Sequence, residues 1–224
     1  MKFAINLNAV LPVRAEAKES SEQVTQLLFG EYCLVLASDG GFSKIENHTD
    51  AYQGWVDTKM LTEIDEEEFA RLKSEKKYRT IEPISDVFCL TDKSIYRLSA
   101  GSLIPHYDEA TSKFEIGGLV FQIHPSFVTY LPGENIEGVL PTSLIFKNTP
   151  YLWGGKNIFG IDCSGLIQVV FSMNGIVLPR DASQQFKYGE EIKLAEATAG
   201  DLCFFEKEGK ITHVGIYCGE GRII

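Results

Sequence analysis

The sequence predicts two small all-β barrels followed by an α+β domain. Short apolar strands with turn punctuation fill residues 1–62, and the same texture returns over residues 78–136. From residue 137 the pattern changes, and helical periodicity runs from Cys163 to Gly175 ahead of an alternating strand at Thr212–Cys218.

In the first segment the strands are Ala9–Arg14, Tyr32–Leu36 and Gly54–Asp57, with Asp39-Gly40-Gly41 as a turn. Strands of this length and spacing suggest a small barrel. Residues 63–77 turn to charge, with Phe69 and Leu72 at helical spacing, and read as a linking helix. The second segment carries strands at Ser94–Leu98, Lys113–Ile116 and Leu119–Ile123. It matches the first in size without an aligned repeat motif. Val139–Lys147 reads as helical, and Asn148-Thr149-Pro150 leads into the final domain, residues 137–224.

Composition narrows the function. A net charge of -10 argues against nucleic acid, whose phosphates need a basic face. No apolar run is long enough to span a bilayer, and residues 1–8 lack the apolar core of a signal peptide. Five widely spaced cysteines, an odd number without a C-x-x-C pair, speak against a disulfide framework and a zinc site. No cofactor is expected. A reducing cytoplasm fits this usage, with a periplasmic or secreted location the alternative if a leader has been removed.

The chemistry concentrates around Cys163. After it, Leu166, Ile167, Val169, Val170 and Met173 keep helical periodicity to Gly175, and Asp162 is a suitable N-cap. Cys163 therefore falls in the first helical turn, where unpaired N–H groups and the helix dipole favour a thiolate and can stabilise an oxyanion. On position alone a buried structural cysteine is an equal reading. Fifty residues on, His213 alternates with Gly215 and Tyr217 on one strand face, while Val214, Ile216 and Cys218 share the other. Gly215 would leave room beside the imidazole. A hydrogen-bonded strand histidine is the bland alternative, and Cys163 tips the balance. The other histidines, His48, His106 and His124, have no comparable setting.

Five ordered blocks then make a family resemblance specific. They are Tyr151-Leu152-Trp153-Gly154-Gly155, Asp162-Cys163-Ser164-Gly165, Leu178-Pro179-Arg180-Asp181-Ala182-Ser183-Gln184-Gln185, Gly200-Asp201-Leu202 and His213-Val214-Gly215-Ile216-Tyr217. They resemble NlpC-type cell-wall cysteine peptidases, which implies a papain-like α+β domain. Both β segments resemble bacterial SH3-like domains of the γ-D-glutamyl-L-diamino-acid endopeptidase subgroup. The first does so through Val13-Arg14, Ser21-Glu22, Gln26–Glu31 and Gly54-Trp55-Val56; the second matches weakly.

The resemblance implies Cys163 as nucleophile and His213 as base, with Tyr151 helping to hold the oxyanion. Asp162, Ser164, Asp181 and Ser183 would line the pocket for the L-Ala-γ-D-Glu part of a small murein peptide. Glu31 and Tyr52 would close it over the free amino terminus, a carboxylate answering an ammonium. Trp55 and Trp153 read as packing residues. The family's third catalytic residue follows the histidine by about a dozen positions. With Gly219-Glu220-Gly221 as the loop, Cys218 pairs with Arg222 and position 225 would oppose Gly215. The chain ends at Ile224, so the expectation is a C-terminally truncated peptidase. The alternatives are a catalytically inactive murein-peptide binding protein, and an acyltransferase or amidase built on the same dyad.

Overall fold

The computed structural model describes residues 2–224. In the first unit the strands are β1 (Lys2–Ile5), β2 (Val10–Arg14), β3 (Gln23–Leu28), β4 (Tyr32–Asp39), β5 (Phe42–Asn47), β6 (Gln53–Asp57) and β7 (Thr62–Ile64). They form one antiparallel sheet in the order β3-β2-β6-β5-β4-β1-β7. Gly40 and Gly41 join β4 to β5 with φ of 53° and 90°, the left-handed pair that a two-residue hairpin loop needs.

Residues 63–77 are not one helix. Ile5 pairs with Thr62, so the chain stays extended through Ile64. Helix α1 (Glu66–Ser74) starts only after Asp65, whose carboxylate accepts from Glu68 N at 2.7 Å. Three acidic residues in its first turn and Arg71 and Lys73 in its last complement the dipole. Phe69 and Leu72 are the buried pair.

The second β unit holds β8 (Tyr78–Thr80), β9 (Ile84–Cys89), β10 (Ile95–Ser99), β11 (Leu103–Ile104), β12 (Lys113–Ile116), β13 (Leu119–Ile123) and β14 (Val128–Tyr130). These make two sheets, β10-β9-β13-β12 and β11-β8-β14. The third unit contains α2 (Val139–Ser143), a short hairpin of β15 (Lys156–Asn157) and β16 (Gly160–Ile161), α3 (Cys163–Met173) and α4 (Ala182–Gln185). It ends in the sheet β17 (Leu202–Lys207), β18 (Lys210–Gly219) and β19 (Arg222–Ile223).

Three apolar cores hold these units, and three consecutive residues enter all of them. Leu27 lies in the core of the first barrel with Leu11, Val13, Ile45 and Val56. Leu28 joins Ile167, Val170, Val214 and Ile216 in the core between α3 and β18. Phe29 is fully buried in the second β unit, edge-on to Tyr96, Phe114 and Phe121. Gly30 lets the chain turn away with φ of 79°; a Cβ there would stand 2.5 Å from Leu103 O.

A histidine ties the linking helix to the second β unit. The buried ring of His106 is hydrogen-bonded through Nδ1 to Glu75 at 2.6 Å and through Nε2 to Glu68. Burial alone would lower its pKa, but the two carboxylates outweigh that and hold it above the ordinary histidine value. A neutral imidazole offers one N–H and one lone pair, so only the imidazolium satisfies both partners. The stabilisation is therefore complete below the unfolded value of about 6.5 and is lost as pH rises through the raised folded value. The melting-temperature gap between the wild type and His106→Gln should narrow from pH 6 to pH 9. A gap constant with pH would show that the clamp is not ionic.

Candidate active site

Helix α3 begins at Cys163 because Asp162 stays extended and its Oδ1 accepts from Gly165 N at 2.7 Å. The thiol is half-buried at the first helical position, beside backbone N–H groups that have no partner within the helix. The helix stops at Gly175, φ 79°, in a Schellman turn: Ile176 N reaches Phe171 O at 2.9 Å and Gly175 N reaches Ser172 O at 3.2 Å.

Tyr151 is brought to Cys163 by its bridge to Ile161. Burial raises the pKa of its hydroxyl, and the neighbouring Cys163 and Asp162 raise it further. The group stays protonated, able to donate to an oxygen forming at the site.

The resemblance puts Asp162 and Ser164 along the pocket. Both are buried. Asp162 Oδ2 accepts from Gly154 N at 2.8 Å and from Arg180 Nη2 at 2.7 Å, and Ser164 Oγ accepts from Arg180 Nη1 at 2.8 Å. These side chains build the floor of the site. Gln185 on α4 pins the next layer, donating to Ser164 O at 3.0 Å and Pro179 O at 2.9 Å.

The first barrel reaches directly into this region. Thr25 accepts from Arg180 Nε at 2.9 Å. Asp50 accepts from Gln168 of α3 at 2.7 Å and from Tyr52 N at 3.1 Å, which fixes the loop carrying Tyr52. The Tyr52 hydroxyl then meets Asp181 Oδ1 at 3.4 Å. Burial and the adjacent Asp181 push that hydroxyl up to about 12, and burial likewise lifts the Asp181 carboxyl above its usual range. Ser183 is exposed in the first turn of α4, next to this pair.

Glu31 does not join them. Its Oε1 accepts from Lys156 Nζ at 2.8 Å and its Oε2 from Leu28 N at 2.7 Å, both side chains buried. The ammonium that answers this carboxylate is the protein's own. Lys156, Arg180, Thr25 and Asp50 are the residues that local sequence patterns missed. Each meets a partner far away in the chain, and a lone basic residue beside glycines or proline carries no periodic signal.

His213 sits exposed on β18, its ring tilted against Phe205 at 5.7 Å, while Val214 and Ile216 bury the opposite face against α3. Gly215 serves the sheet rather than the imidazole: a Cβ would stand 2.9 Å from Ile224 O and 3.1 Å from Ile223 Cδ1. The hairpin also differs at its tip. Gly219, not Cys218, pairs with Arg222, because Glu220 and Gly221 with φ of 54° and 70° make a two-residue turn and Cys218 is bulged out. Ile216 and Ile224 then exchange both backbone bonds, at 2.8 and 3.0 Å. Trp153 is 62% exposed and does not pack in a core; its indole donates to Glu22 at 2.6 Å, and its carbonyl accepts from Gln23 at 3.0 Å.

Comparison with known proteins bears on this arrangement. Residues 148–224 match the NlpC/P60 family, and residues 13–61 match the bacterial dipeptidyl-peptidase SH3 domain. A γ-D-glutamyl-L-lysine dipeptidyl-peptidase of Bacillus subtilis (strain 168) is 30% identical over 214 residues, 89% of this chain and 71% of that protein. The chain belongs to the NlpC/P60 family. A protein of the same name from Bacillus cereus is 26% identical, covering 89% of this chain and 66% of its own. The crystal structure of an NlpC/P60 family protein from Bacillus cereus superposes with a TM-score of 0.88 at 20% identity, over 99% of this chain and 89% of that one. An NlpC/P60 endopeptidase from Photobacterium damselae subsp. piscicida gives 0.69 at 20% identity, over 97% and 57%. The fold is thus the papain-like NlpC/P60 fold with an SH3-like all-β region ahead of it. The NlpC/P60 chain is a cell-wall peptidase, a cysteine hydrolase of peptidoglycan peptides.

Lys156 and Glu31 supply a test of the domain junction. Removing one partner of a buried pair strands the other charge and costs about 3–5 kcal/mol, whereas an apolar replacement of both is often tolerated. Glu31→Leu should therefore lose stability of that order in urea unfolding, and Glu31→Leu/Lys156→Met should recover most of it. Additive losses in the double variant would rule out the pairing.

Proposed function

We propose that this NlpC/P60 chain hydrolyses the bond between γ-D-glutamate and the L-diamino acid in murein peptides with a free N-terminal L-Ala. The observation that carries the reading is the meeting of Tyr52 from the first barrel with Asp181 beside the nucleophile's helix. A wall from another domain at that point restricts the pocket to a short residue. A partly desolvated carboxylate there answers an ammonium group by charge-assisted hydrogen bonding. In this reading Asp181 takes the role that the sequence suggested for Glu31. The names of the Bacillus relatives, γ-D-glutamyl-L-lysine dipeptidyl-peptidases, support the same bond.

Chemically, the Cys163 sulfur attacks the γ-glutamyl carbonyl carbon while His213 takes the thiol proton. The Tyr151 hydroxyl and the N–H groups of the first turn of α3 hold the developing oxyanion. As the C–N bond breaks, His213 returns the proton to the leaving amine, and water then hydrolyses the thioester. In this reading Ser183, exposed in the first turn of α4 two residues after Asp181, contacts the peptide.

Hydrolysis of L-Ala-γ-D-Glu-L-Lys and its meso-diaminopimelate counterpart is read by chromatography. Cys163→Ala should abolish turnover with the fold intact, since thiol to methyl changes little volume. His213→Ala should do so comparably, and the double variant should be no slower than either, because the two act as a unit. A double variant slower by the product of both effects would sink the dyad. Peptide binding without turnover by the wild-type chain would instead mark a murein-peptide binding protein.

Specificity is read from kcat/KM for free and N-acetylated peptides. An uncompensated carboxylate costs about 3–5 kcal/mol when fully buried, so at the half-buried Asp181 acetylation should lower the wild-type value by roughly two orders of magnitude, the low end of that range. Asp181→Asn should close most of that gap. Equal wild-type rates would point to an enzyme working on intact cell wall.

A further inference from the structure

Among the described residues, Arg180 is the largest fully buried side chain. A charge there survives only with partners, and it has three, in three directions. Its Nε donates to Thr25 Oγ1 at 2.9 Å, its Nη1 to Ser164 Oγ at 2.8 Å and its Nη2 to Asp162 Oδ2 at 2.7 Å. The last two flank Cys163 in the chain on either side. Only the planar fork of a guanidinium reaches such a set of acceptors at once; an ammonium is a point charge on a flexible stem.

The carboxylate at position 162 itself calls for a reason. For the cap bond alone asparagine would serve as well; the second oxygen, which accepts from Gly154 N and Arg180 Nη2, is what needs the carboxylate, yet a negative charge beside the nucleophile opposes formation of a thiolate. Asp162 pairs its charge with Arg180, so its cap is kept while its field at Cys163 is offset. The two charges already act in opposite senses on their neighbours: Asp162 raises and Arg180 lowers the pKa of Tyr151, which lies against Cys163, and the same holds for Asp181.

We propose that Arg180 is the positioning residue of the nucleophile, its guanidinium offsetting the Asp162 charge at Cys163 and locking Asp162 and Ser164 around it. Through Thr25, the docked first barrel completes that hold. This rests on the cysteine-peptidase reading of the site but not on any particular murein peptide.

The experiment follows iodoacetamide alkylation of Cys163 against pH in the full chain, measured on the peptide that carries it so that the other cysteines do not interfere. Asp162→Asn keeps the cap and removes the negative charge, so its midpoint should fall below that of the wild type. Asp162→Asn/Arg180→Met further removes the cation together with its hydrogen bonds to Thr25 and Ser164, and its midpoint should be higher than that of Asp162→Asn by about one pH unit or more. Equal midpoints in these two variants would overturn the proposal. Arg180→Lys keeps the charge but loses the fork. Its midpoint should stay within about half a unit of the wild type while kcat on the peptide falls. If the double variant does not fold cooperatively, this variant decides: a rise of a full unit overturns the charge role. No murein peptide enters the alkylation assay, so a wrong substrate assignment leaves its outcome intact.

Discussion

Everything in this structure depends on one short turn of chain. Leu27, Leu28 and Phe29 are consecutive, yet each is buried in a different core: the first barrel, the peptidase unit and the second β unit. Alternation in a strand sends neighbours to opposite faces, and the turn at Gly30 allows the third direction. Full burial of such side chains contributes about 1.5–3 kcal/mol each, but the constraint matters more than the sum. With one residue in each core, a shift of this segment by a single position would put a side chain in the wrong unit. The relative placement of three units is fixed by local covalent geometry.

Around that apolar junction the contacts between the first barrel and the peptidase are polar and paired. Gln26 accepts from Lys156 N at 3.0 Å and from Asn157 Nδ2 at 2.7 Å, Glu31 pairs with Lys156, and Thr25 takes the third bond of Arg180. Buried polar groups gain little net energy over apolar ones, yet a mispaired one is costly. They therefore discriminate between arrangements. The apolar residues hold the units together, and the polar ones permit a single registry. That registry sets Tyr52 opposite Asp181.

The cysteine helix was legible in the sequence because its signals are local. An N-cap at Asp162, a 3.6-residue apolar period and a left-handed stop at Gly175 lie within a dozen or so residues and need nothing from elsewhere. The β4–β5 hairpin was legible for the same reason, its two glycines supplying both left-handed positions. Glu31 is not legible in this way, because a carboxylate in a turn looks alike whether it awaits a substrate ammonium or a lysine 125 residues away. The family resemblance puts Asp162 and Ser164 along the pocket, but nothing local shows that they are buried, because Arg180, which buries them, comes back from beyond α3. Trp153 shows the converse: its size suggests packing, but the hydrogen bonds to Glu22 and Gln23 leave most of the ring in solvent.

Under the proposed function, the loop that presents Tyr52 shows how little of the substrate pocket belongs to either domain alone. Ala51 sits at φ 56°, a left-handed conformation that disfavours a side chain bearing a Cβ. The strain persists because surrounding bonds over-determine it: Ala51 N to Asn47 O at 2.9 Å, Asn47 N to Tyr52 O at 3.0 Å, and Asp50 to Gln168 of α3. The last of these is supplied by the same helix that carries Cys163. In the proposed reading, the nucleophile's helix thus anchors the loop that limits what can approach the nucleophile, and the barrel in turn helps to hold Arg180 beneath it. Reactivity and selectivity are joined through α3, so undocking the barrel would remove the wall of the pocket and one tether of its floor together.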